Sequence, residues 1–199
     1  MSVALSALTA LTFLEISVLS LKAEKVELPA VTAAGYSGRA ALSAPGESRA
    51  LGKLGVGAFW ALSCTWGVIV TAAGGVKALI CMKNGMEPKY YKGNIYFENV
   101  REMGSVNYGP FFFLGENAEY FTPYHEMGHG LQNILMGPLY VVFVGISSEI
   151  WYQKFIKEYA GELASGTWDP DERRKAYDRN PIERQATAWG ARMYGLELK

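Results

Sequence analysis

The sequence predicts an α+β chain in which a metal-binding helix is joined to a small β-hairpin or sheet, behind an apolar, helical, membrane-associated N-terminal region. Three observations carry this prediction. From Leu54 to Val76 the chain runs 23 residues without a charge, an apolar run of helical length. Asn94–Val100 and Ser105–Leu114 are rich in aromatic and β-branched residues, the composition of strands. Around His125-Glu126-Met127-Gly128-His129, apolar residues follow at helical spacing. Three regions result: residues 1–48, an apolar helix and flexible linker; 49–84, a transmembrane or buried helical segment; and 85–199, the metal-binding domain.

The chain's 199 residues suffice for one domain with appendages. Its 19 basic residues balance 19 acidic ones, so no nucleic-acid footprint is present. The two cysteines, Cys64 and Cys81, lie in apolar sequence. They form neither a disulfide framework nor a Cys-type zinc site and read as buried reduced thiols.

Residues 3–21 are apolar, with Leu5, Leu8, Leu11 and Leu14 every third position. A secretory signal and an amphipathic membrane-surface helix both fit, although Glu15 interrupts the run and no basic residue precedes it. Residues 29–48 are small, polar and punctuated by Pro and Gly, as linkers are. The run from Leu54 to Val76 exceeds the ~20 residues a spanning helix needs. The expectation is a single membrane pass, against a buried helical hairpin broken near Gly74-Gly75. Lys77, Lys83, Lys89 and Lys92 outnumber Arg39, Arg49 and Lys53, which points to a cytoplasmic C-terminal part.

The two aromatic segments are expected to pair, as a hairpin or as neighbours, with Met103-Gly104 between them. In the helix that follows, Thr122 suits the N-cap, Pro123 the first turn, and Gly137-Pro138 the stop. His125 and His129, the chain's only histidines, are four apart and share one helical face. They can therefore offer two imidazole nitrogens to one metal ion. Glu126 projects beside them, where a carboxylate can take a proton from water. Gly128 and Gly130 cost ~1 kcal/mol each against alanine, so their helix is expected to meet a second backbone or a ligand closely. Met136–Ser148 is apolar and reads as a buried strand-like run or a re-entrant piece. Asp169-Pro170-Asp171-Glu172 and Asn180-Pro181-Ile182-Glu183 each open a helix with a capping residue and Pro at N1.

A catalytic zinc site takes three protein ligands. With the histidines used, the third is expected to be a carboxylate. Glu183 is the first choice, with Glu149, Glu158 and Glu162 as alternatives, and Glu183 also fits a capping-box glutamate.

His125-Glu126-x-x-His129 is the signature of the zincin metallopeptidases, and the chain resembles them there. The later Glu183-x-x-Ala186 is similar to the helix that supplies the third ligand in integral-membrane gluzincins. In those enzymes an Asp follows, where this chain has Thr187, so the carboxylate that orients a histidine is missing or comes from elsewhere. A nearer likeness is to small bacterial and phage proteins reading Gly-Pro-Phe, His-Glu-Tyr-Gly-His, Gly-Pro-Leu-Tyr and Gly-x-Pro-Ser. Here Gly109-Pro110-Phe111, His125–His129, Gly137-Pro138-Leu139-Tyr140 and Gly145-Ile146-Ser147-Ser148 follow in that order. The match covers residues 93–152 and departs at Met127, Asn133 and Ser147.

The resemblance implies a zinc-dependent peptidase acting on a peptide or protein. Zn2+ would sit on His125, His129 and Glu183, and Glu126 would serve as general base. It also implies that Phe111–Phe113, Phe112 among them, form a strand pairing with substrate. Tyr177 and Tyr194 are candidate oxyanion donors because they lie near Glu183 in sequence. Two alternatives belong to other classes: a membrane or virion structural protein with a vestigial metal site, and a membrane-lytic protein.

Overall fold

The computed structural model describes residues 53–100, 104–116 and 118–196. The expectations for residues 3–21 and 29–48 lie outside the described residues. The described architecture is mixed α+β, as the sequence predicts, with seven α-helices and one four-stranded sheet.

The uncharged run 54–76 does not form one helix. It lies in α1 (Lys53–Thr65) and α2 (Val68–Lys83), which meet at a 98° bend across Trp66-Gly67. Packing sets this break. A Cβ on Gly67 would strike the Asn133 side chain, and one on Gly74 would lie 2.8 Å from the Tyr108 carbonyl oxygen. The break thus falls at Gly67 and not at Gly74-Gly75. Among the described residues no single helix is long and apolar enough to cross a membrane. Cys81 is buried as expected, whereas Cys64 is exposed on α1.

Four strands follow: β1 (Lys89–Tyr91), β2 (Asn94–Val100), β3 (Val106–Tyr108) and β4 (Phe111–Gly115), in spatial order β1-β2-β4-β3. Tyr91 pairs with Asn94 across Lys92-Gly93, both at positive φ, the backbone of a tight type I′ hairpin. The second aromatic segment is itself a hairpin, folded at Gly109-Pro110, with β3 antiparallel to β4. The first segment joins it in parallel, β2 beside β4. The expected pairing is therefore present, but through β4 alone. Because β4 is bonded on both sides over Phe111–Phe113, it offers no backbone edge to a peptide, contrary to the role the resemblance implied.

Side chains alternate across the sheet as the period of two requires. Phe97 and Phe113 stack at 5.4 Å and pack with Ala78 and Cys81 of α2. Tyr96 and Phe112 stack at 5.0 Å on the opposite face, with Leu114, Met127 and Tyr194. That second face seats α3 (Thr122–Met136) and α7 (Pro181–Tyr194).

After α3, Met136–Ser148 is not strand-like. A 3-10 turn (Gly137–Leu139) and a π-helical turn (Val141–Gly145) lead into α4 (Ile146–Glu158). Tyr140, Val141 and Val144 point inward, whereas Val142 and Phe143 point out. α5 (Ala160–Ser165) and α6 (Pro170–Tyr177) complete the chain before α7. The Asp169 side chain accepts from the Asp171 and Glu172 amides, and Asn180 from the Ile182 amide, so both helix starts lie where the sequence sets them.

Candidate metal centre

The centre lies where α3 crosses α7. A Cβ on Gly128 would run into the Ala186 carbonyl, and one on Gly190 into the Tyr124 carbonyl. Only glycine lets the two backbones approach this closely, which accounts for Gly128 inside the histidine motif. Gly130 is similarly confined, since a Cβ there would lie 2.8 Å from the Gly109 carbonyl oxygen. α3 begins one residue earlier than expected, with Phe121 at the N-cap, and the Thr122 hydroxyl instead accepts from the Glu119 amide at 2.9 Å.

This crossing carries Glu183 onto the histidines. Nε2 of His125 and Nε2 of His129 are 3.1 Å apart, and each lies 3.2 Å from Glu183 Oε2. All three residues are buried, Glu183 completely. The Asn180 amide bonds to the Tyr177 carbonyl, and the Glu183 carboxylate faces the imidazoles, so Glu183 stands with the metal-ligating groups. Glu149 bonds Gln153 and Glu158 pairs with Arg179. The cluster able to hold a metal ion among the described residues is His125, His129 and Glu183, without Glu149, Glu158 or Glu162.

The hydrogen bonds around the cluster fix where its lone pairs point. Gln132 donates its amide nitrogen to the Ile182 carbonyl and to Gln185, each at 3.0 Å. Its oxygen is left to accept from His129 Nδ1 at 2.8 Å. The Thr187 hydroxyl donates to Asp178 at 2.7 Å and so accepts from His125 Nδ1 at 2.9 Å. Each imidazole thus donates through Nδ1 and turns its Nε2 toward Glu183. Ser148 donates to the other Glu183 oxygen, Oε1, which reserves Oε2 for the centre. Arg174 holds Asp178 at 3.3 Å.

Three lone-pair atoms this close repel unless a cation or proton lies among them. Tetrahedral bonds of ~2.0–2.1 Å set donors ~3.3 Å apart, and the observed separations fit that edge. The donor set and its spacing therefore suit a metal ion. Without a metal ion, a proton takes that place. Burial pulls the His129 imidazole down, but the Glu183 carboxylate overrides it and holds His129 up to about 9. Burial also opposes ionisation of Glu183, yet the two imidazoles keep it well below the usual carboxylate range. Glu126, buried beside His125, is raised by loss of water, with both histidines opposing the rise.

Of the remaining candidates, Tyr177 stands edge-on to His125 with ring centres 5.8 Å apart. Burial drives its hydroxyl well above its ordinary value, with Glu183 and Glu126 adding to the effect. Tyr194 and Phe112 belong to the core beneath α3 and not to the centre. Neither touches a ligand, because Tyr194 sits on the face of α7 turned to the sheet and Phe112 lies inside it.

Sequence reasoning missed Ser148, Gln132, Asp178 and Tyr140. Asp178 is the carboxylate missing at position 187, and it reaches His125 through the Thr187 hydroxyl. The spare hydroxyl of Thr187 and the unassigned acid nine residues before it were the available signals. Tyr140 is buried within electrostatic reach of Glu126 and Glu183, and its place in an apolar run concealed it. Comparison with family models, curated proteins and solved structures found no match.

Proposed function

We propose that the chain is a zinc-dependent peptidase of the zincin kind, with His125, His129 and Glu183 as the metal ligands. The observation that carries this reading is the convergence of two Nε2 lone pairs and one carboxylate oxygen at 3.1–3.2 Å, with Glu126 on the next residue of the same helix. Nitrogen and oxygen donors in this number suit Zn2+ with one position left open. When bound, zinc supplies Lewis acidity, lowering the pKa of water to roughly 7 and polarising a carbonyl.

The chain's own groups do the rest. Glu126 accepts a proton from the attacking water on its carboxylate. As the C–O bond forms and the C–N bond breaks, it returns that proton to the leaving amine nitrogen. Its raised pKa strengthens the carboxylate as the acceptor of that proton. Tyr177 is the nearest phenol to His125 among the candidates and the donor assigned to the developing oxyanion. Thr187 with Asp178, and Gln132, keep the imidazoles in the tautomer that presents Nε2.

One observation favours a second reading, a structural metal site without turnover: His125, Glu126, His129 and Glu183 are all buried. The two readings separate on Glu126. Glu126→Gln retains zinc under either. Under the first, wild type cleaves an unstructured protein such as casein and the variant loses at least ~100-fold of that rate. A variant as active as wild type would refute the assignment of Glu126. Zinc-loaded wild type without peptidase activity would favour the structural site.

A further inference from the structure

Two apolar stretches form one outward face. The indole of Trp66, at the α1–α2 elbow, lies against Gly137, and the 137–139 turn packs on α2. Residues 131–148 contain no charge. In α2, Lys77 is turned inward over the Phe113 and Tyr108 rings, 4.7 and 5.4 Å from their centres. What points outward is apolar: Leu79, Ile80, Leu135, Leu139, Val142 and Phe143 are each more than half exposed. Apolar patches of this kind mark surfaces that another phase or molecule covers.

Two features favour lipid over a protein. First, the backbone behind the face is helical apart from the Trp66-Gly67 turn, whose amides both bond to the Leu62 carbonyl, so the face presents no strand edge. Its outward hydroxyl, Thr65, donates within its own helix to the Ala61 carbonyl at 2.7 Å. Internal satisfaction of polar groups is what hydrocarbon demands. Protein interfaces instead carry hydrogen bonds and a polar rim. Second, α1 and α2 together have the length and apolar composition of a broken or re-entrant membrane segment, whereas α2 alone, with 16 residues, is ~24 Å long, short of the ~30 Å hydrocarbon core. The inner faces of both helices are occupied, by Phe59 on α1 and by Val70, Gly74 and Ala78 on α2.

We propose that this face binds a lipid bilayer from one side. The α1–α2 elbow and the turn after α3 bury their outward side chains in a single leaflet, with no part of 53–83 crossing it. Membrane contact of this kind is independent of whether the metal centre is catalytic.

The test is flotation of the full chain with phosphatidylcholine vesicles. Wild type is expected to float, and Leu139→Glu/Phe143→Glu and Leu79→Glu/Ile80→Glu to lose at least ~10-fold in bound fraction. These positions are exposed, so unchanged melting and metal content identify variants that remain folded. A nitroxide on Leu139→Cys, in a Cys64→Ser background, should become more accessible to oxygen than to a water-soluble nickel chelate when vesicles are present. Folded variants that float as well as wild type would overturn the proposal, as would a label that stays water-accessible. A stable wild-type dimer that Phe143→Glu disperses, with no vesicle binding, would assign the face to a second copy instead.

Discussion

The α3–α7 crossing and the outer face of α1, α2 and the 131–148 segment are built by opposite rules. At the crossing, buried polar atoms are tied one to the next: Asp178 to Thr187 to His125, Gln132 to His129, Ser148 to Glu183. On the outer face, apolar side chains stand in the open. Burying polar groups is costly unless each finds a partner, so the crossing tolerates almost no change. The outer face has no internal partner to lose. The same segment serves both, because Tyr140 and Val144 face the interior while Val142 and Phe143 face away. The apolar face can therefore be altered without disturbing the polar centre.

The contrast breaks most severely at the glycines. Gly190→Ala places a methyl group against the Tyr124 carbonyl, and is expected to cost about 3 kcal/mol in urea unfolding, with loss of metal binding. Glu183→Ala removes one of the three proposed ligands, and tight zinc binding should disappear in equilibrium dialysis. Thr187→Val cuts the relay from Asp178 to His125 and should weaken zinc affinity ~10–100-fold in a chelator competition. Thr187→Ser should restore it, which a purely steric role would not require.

A smaller effect is expected from pH on protein stripped with a chelator. His129, held up to about 9 when folded and near ~6.5 unfolded, binds its proton more tightly in the native state. Its contribution is full below ~6.5 and falls as pH rises toward 9. Lys77, pulled down to about 8 by burial, works in the opposite sense only above that value. Chemical denaturation should therefore show stability declining between pH 6.5 and 8, and His129→Gln should flatten the slope. The low pKa of Glu183 adds stability above ~4.3 that disappears on acidification. Smallest of all, Phe143→Glu on the outer face should change unfolding free energy by no more than ~0.5 kcal/mol.

What could be read from the chain was what depends on neighbours in sequence. The α3 helix, its stop at Gly137-Pro138, the helix starts at Asp169 and Asn180, and the pairing of His125 with His129 all follow from local spacing. Gly128 also signalled a close approach, though not by which helix. The break in 54–76 was invisible because the side chain that sets it, Asn133, comes from α3. The interior position of β4 was hidden because parallel pairing with β2 leaves no trace in either segment alone. Thr187 read as the loss of an aspartate, whereas Asp178 at the end of α6 supplies the charge through one hydroxyl. The π-helical turn was hidden by a run of apolar residues that fits several conformations.

The most direct test of the account is zinc content by elemental mass spectrometry on chain purified without added metal, beside His129→Ala and Glu183→Ala. About one zinc ion per wild-type chain is expected, and none retained by either variant. Zinc retained in full by Glu183→Ala, or none bound by wild type even after reconstitution, would contradict it.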